Sequence, residues 1–119
     1  MLEDVVQAFG RELFHSIAQL PPISKLDPEV QMCGVYTCYL AEKERLALMD
    51  QRNLFYLLDD LFYEHCVRQI ESLKMFHHPY EVDFYAGASV FITRSWIHNG
   101  FRESPEEMAR LTHNFIKWD

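Results

Sequence analysis

Over residues 2–20 the apolar side chains recur at Leu2, Val5, Val6, Phe9, Leu13, Ile17 and Leu20, with Glu3, Asp4, Gln7, Arg11 and Glu12 on the other side. Steps of three and four predict an amphipathic helix. Pro21-Pro22 ends it, because neither residue can donate a backbone hydrogen bond. Asp27-Pro28 starts the next, with an N-cap carboxylate followed by a first-turn proline. This second helix carries Val30, Cys33, Tyr36, Thr37 and Leu40, and it breaks or bends within 42–45, ahead of Leu46-Ala47-Leu48-Met49. A third helix is expected from Asn53 to Met75, with a broad apolar arc through Leu58, Phe62, His65, Cys66 and Ile70 and an i,i+4 pair Glu64–Arg68. Pro79 opens a fourth, closed at Asn99 by Gly100 as a left-handed cap. Ser104-Pro105-Glu106-Glu107 supplies an N-cap, a first-turn proline and a capping-box glutamate for the last. No run alternates with period two, and Asn99-Gly100 falls at a helix end rather than in a hairpin. The expected fold is all-α, a bundle of five to six helices.

The last two helices have more apolar surface than their neighbours can be expected to cover. Phe84 to Thr93 contains no charge, and a helix apolar all round needs partners all round. Met108, Leu111, Phe115 and Trp118 are spaced three, four and three, the seam along which one helix packs on another. Both features favour a homodimer joined through Ile92, Trp96, Met108, Leu111, Phe115 and Trp118. The alternative is that these stripes face the protein's own core.

Length and charge narrow the function. A chain of 119 residues is one domain's worth, read as a single unit over 1–119. Eleven Lys and Arg against 18 Asp and Glu leave a net charge of −7, the opposite of the basic stripe that phosphate contacts require. Direct nucleic-acid binding by this chain alone is therefore not expected. Met1-Leu2-Glu3-Asp4 is no signal-peptide start, and Val30 to Ala41 is too short to cross a bilayer, which needs about 20 apolar residues. Cys33, Cys38 and Cys66 are odd in number and form no CxxC, as expected of reduced thiols in a cytoplasmic protein.

Catalytic and metal chemistry find little support. His65, His77, His78, His98 and His113 do not fall into a ligand box, so no metal or other cofactor is expected, and His77-His78 before Pro79 suits a cap or loop. Asp59-Asp60 and Glu106-Glu107 are adjacent pairs that point about 100° apart on a helix and cannot share a proton across a substrate. No GxSxG, glycine-rich phosphate loop or Cys–His motif is present. What remains is a set of aromatic side chains with polar handles on the middle helices. They suit a small-molecule pocket, for which Tyr36, Leu40, Phe62, His65, Phe84 and Ala88 are the candidates, or else they fill a solid core.

The stretch from Phe84 to Phe115, with Ser95-Trp96-Ile97-His98-Asn99-Gly100 and then Glu103-Ser104-Pro105-Glu106-Glu107-Met108-Ala109, resembles the C-terminal end of TetR-type transcriptional regulators. The run Ala41 to Leu46 followed by a long helix is similar to the middle of that family. The resemblance implies a linker helix over 1–20, middle helices over 27–75 and dimerisation helices over 79–118. It also implies a small apolar or aromatic effector. Such regulators begin with a helix-turn-helix of about 50 residues whose second helix enters the major groove. Residues 2–20 look like the linker instead, and no basic recognition helix precedes them. The implied function is effector sensing and dimerisation without the DNA-reading module, which would contact operator DNA if present upstream. The competing reading is a homodimeric interaction module with no ligand, and a small helical enzyme stands third.

Overall fold

Helix borders fall where the chain supplies caps. The computed structural model describes residues 1–20, 27–72 and 78–115. These form α1 (Leu2–Ala18), α2 (Pro28–Ala41), α3 (Lys43–Gln51), a 3-10 turn (Phe55–Leu57), α4 (Asp59–Ser72), α5 (Pro79–His98) and α6 (Pro105–Phe115), with no strand among the described residues. Asp27 caps α2 by accepting a hydrogen bond from the Glu29 N–H at 2.8 Å, and His78 caps α5 through Nδ1, which accepts from the Tyr80 N–H at 3.1 Å. Ser104 Oγ accepts from the Glu107 N–H at 3.1 Å, and the Glu107 carboxylate reaches back to the same hydroxyl. Replacing Ser104 by alanine strands that donor and is expected to cost about 1 kcal/mol, read as a lower urea midpoint at unchanged slope.

Two helix ends share one device. At α5, Gly100 sits at φ 84° while the Phe101 N–H reaches back to the Trp96 carbonyl at 2.9 Å and the Gly100 N–H to Ile97 at 3.0 Å. This is a Schellman closure, and the usual apolar contact across it is present as the edge-on pair Trp96–Phe101 at 4.9 Å. Phe101 is itself at φ 58°, costly for a bulky residue. At α3 the left-handed residue is Asn53, φ 55°, with Leu54 N–H bonded to the Met49 carbonyl at 2.9 Å. Asn tolerates that conformation better than most residues, so the chain turns there, and a 3-10 turn follows. The helix expected from Asn53 therefore begins only at Asp59. Its expected end at Met75, like the stop at Pro21-Pro22, lies outside the described residues.

Packing centres on α1, α2 and α4, with α6 laid against α2 and α5 against α4. Gly10 of α1 lets Leu58 approach so closely that a Cβ there would stand 2.5 Å from the leucine Cδ2. Gln7 donates from its side-chain amide to the Leu57 carbonyl. A run of rings crosses the molecule: Phe14 on α1, Phe62 on α4, Tyr39 and Tyr36 on α2, Trp96 on α5 and Phe101 beyond it, successive centroids 4.9–6.2 Å apart. The molecule measures 44 × 28 × 23 Å, so its thin direction holds two helices of about 10–12 Å each.

Candidate functional site

Two hollows adjoin the ring run. A cavity of about 50 Å³ lies where α2, α4, α5 and α6 meet, among Gln31, Tyr36, Cys66, Ser89, Thr93 and Thr112. That volume suits a few water molecules, not an organic ligand. The Tyr36 hydroxyl hydrogen-bonds Thr93 and Thr112, yet burial outweighs them and raises its pKa. The Thr112 hydroxyl donates to the Met108 carbonyl at 2.9 Å. Burial likewise pushes the Cys66 thiol up to about 12, which leaves it inert. Cys33, Cys38 and Cys66 are all unbridged.

The second hollow is a groove of about 590 Å³ between α1, α2 and α4. Leu20, Leu61 and Phe14 supply apolar wall, and Gln31 and His65 lie in it as well. Among the described residues Gln31 Oε1 and His65 Nε2 are buried without a hydrogen-bond partner, an uncommon and costly condition. The His65 ring stacks on Phe14 at 5.0 Å. Burial, helped by the nearby Arg68 charge, lowers its pKa to about 4, so the imidazole is neutral at physiological pH. Arg68 lines the groove and makes no ion pair among the described residues; the expected pair with Glu64 does not form. Gln31 and Gln69 line both hollows and separate them.

The candidate pocket residues do not converge. Tyr36 lines the cavity and His65 the groove. Phe62 lines neither, being only 2% exposed and held between Phe14 and Tyr39. Leu40 borders a shallow hollow at the α2–α3 junction, and half-buried Ala88 lies on neither wall. Phe84 is 69% exposed, so its expected place in a pocket is corrected: among the described residues nothing covers that side of α5. Gln31 is not among the candidates from sequence, and Arg11 figures there only as part of the polar face of α1. A lone amide amid Val30, Met32, Cys33 and Val35 was the available sign of the first.

The interface candidates divide likewise. Trp96 and Met108 are buried inside the subunit, the indole N–H donating to the Glu103 carbonyl at 2.9 Å, and so offer no surface to a partner. On α6 the face that packs against α2 is made by Met108, Ala109 and Thr112, so Met108 leaves the seam that Leu111 and Phe115 continue. Ile92 is half-buried, Leu111 and Phe115 are exposed, and Trp118 lies outside the described residues. Phe91, not among the candidates, is 71% exposed.

Residues 35–117 match the family model of the transcriptional regulator C-terminal region, of TetR type. The chain belongs to that family. No curated protein and no solved structure matches it significantly. The all-α architecture of this TetR-type domain agrees with the membership, which places the chain in transcription regulation. The match leaves α1 and the first turns of α2 outside it, and with them much of the groove wall. Among the described residues of the TetR-type domain no helix is long and apolar enough to cross a membrane, and no three His, Cys, Asp or Glu side chains are grouped to hold a metal.

Proposed function

We propose that this chain is the effector-sensing and dimerising domain of a cytoplasmic TetR-type regulator, without catalysis of its own. Contact with operator DNA would fall to a helix-turn-helix, where one accompanies this domain. The observation that carries this reading is the apolar surface of the last two helices: Phe84, Phe91 and Phe115 are 62–71% exposed, with Leu111 beside them in sequence. So many large bare side chains mark an interaction surface, and a second copy covers it by two-fold symmetry. Trp118 joins the proposed interface by its spacing beyond Phe115. An effector held beside α1 and α4 would favour one dimer geometry over another, a population shift. The ring run from Phe14 to Phe101 offers a packed route for it.

Sedimentation equilibrium tests the dimer. Changing both Phe91 and Phe115 to glutamate is expected to weaken association on the order of a hundredfold or more, with the helical circular dichroism unchanged. A wild-type chain that stays monomeric at high micromolar concentration overturns the reading. Sensing is tested by a thermal-shift screen of small molecules of every charge, followed by the dimer constant with each hit. The second reading, an interaction module without ligand, is favoured by the smallness of the inner cavity, and it predicts that no compound shifts the melting curve.

A further inference from the structure

The groove differs in charge from the rest of the molecule. The chain carries a net charge of −7, yet Arg11 and Arg68 line this groove together with His15, and among the described residues no Asp or Glu does. Neither arginine has an ion pair among the described residues. A cleft with one sign of charge and apolar walls concentrates ions of the other sign, and guanidinium groups suit a carboxylate in particular. On the same wall, Gln31 Oε1 is a buried acceptor with no donor among the described residues, on a side chain only 7% exposed. His65, also lining the groove and 6% exposed, has its Nε2 equally unmatched among them. A buried acceptor left bare is costly, and a ligand hydroxyl would relieve that cost.

We propose that the groove between α1, α2 and α4 binds a small hydroxylated carboxylic acid with an apolar body. Arg11 and Arg68 take the carboxylate, Leu20 and Leu61 cover the body, and the hydroxyl donates to Gln31 with His65 alongside. The volume of about 590 Å³ accommodates a ligand of that size. This assignment rests on the sensing reading and gives it a ligand class. It also places the ligand against α1, the helix that precedes the family-matched stretch.

The probes are para-hydroxyphenylacetate, phenylacetate, which lacks the hydroxyl, and para-hydroxyphenylacetamide, which lacks the charge. Isothermal titration measures affinity, and NMR shifts at Leu20, Leu61 and His65 report the place. The hydroxy acid is expected to bind about tenfold more tightly than either analogue. Arg11→Gln with Arg68→Gln, both on exposed side chains, should erase the preference for acid over amide. Gln31→Leu should erase the preference for the hydroxyl. An amide that binds as well as the acid, arginine variants that bind the acid unchanged, or no shift with any of the three probes overturns the proposal. A neutral or cationic compound from the thermal-shift screen that shifts the same groove residues overturns the ligand class while sensing stands. Melting curves unmoved by any compound remove both.

Discussion

Phe62→Ala is expected to lower stability by about 3–5 kcal/mol, a large part of what a domain of this size possesses. Phe62 meets Phe14 edge-on at 5.5 Å and stacks on Tyr39 at 5.7 Å, with 2% of its surface exposed. Truncation removes ring contacts to both α1 and α2, and large neighbours on either side hinder collapse into the gap. Phe62→Leu, which keeps most of the volume, should recover part of the loss. Urea unfolding followed by circular dichroism measures both, and a cost under about 1 kcal/mol for the alanine variant would contradict this packing. The variant carries a second consequence. It cuts the ring-to-ring step that runs from α1 through α4 into α2, so a ligand-induced change in the dimer constant should shrink even under conditions where the protein stays folded.

Acid should unfold the protein in a window set by His65. Burial first, and the Arg68 charge second, lower its pKa to about 4, whereas an unfolded chain holds it near 6.5. Between those values the unfolded state binds the proton that the folded state refuses, so stability falls as the pH drops. The stabilisation is fully present above about pH 6.5, erodes as the pH falls, and is gone below about pH 4. A gap of about 2.5 units amounts to roughly 3 kcal/mol at 1.36 kcal/mol per unit. His65→Leu, which keeps the packing on Phe14 without the titration, should flatten the stability profile across the window. The imidazole proton resonance gives a direct check: at about pH 5 it should still report a neutral ring. A midpoint near 6.5 would mean that His65 is hydrated, not packed beneath Phe14.

Much of the fold was legible because helix ends announce themselves locally. Asp27-Pro28, Ser104-Pro105 and Gly100 each satisfy or terminate backbone hydrogen bonds with atoms within a few residues, so no tertiary information is needed. Asn53 was missed because its left-handed turn interrupts a pattern whose apolar period runs on undisturbed from Leu54 to Ile70. The site was harder to read. A helix such as α5, apolar on every side, does not say which face meets its own subunit; Trp96 turned inward and Phe84 outward. The middle-helix aromatics stack on one another and leave almost no hollow, since rings fill space as readily as they frame it. Of the groove, only His65 was anticipated. Its charge and its unmatched amide come from Arg11, Arg68 and Gln31, three positions on separate helices that only tertiary structure assembles.

The corner after α5 bears on how any signal could spread. Gly100 and Phe101 are both left-handed, the Phe101 ring is pinned on Trp96, and the indole ties down the Glu103 carbonyl before α6 begins. Beyond that corner the two helices part company, α6 resting on α2 and α5 on α4. A tilt of α5 thus reaches α6 by way of this single knuckle of chain, and the knuckle sets the angle between their two bare aromatic surfaces.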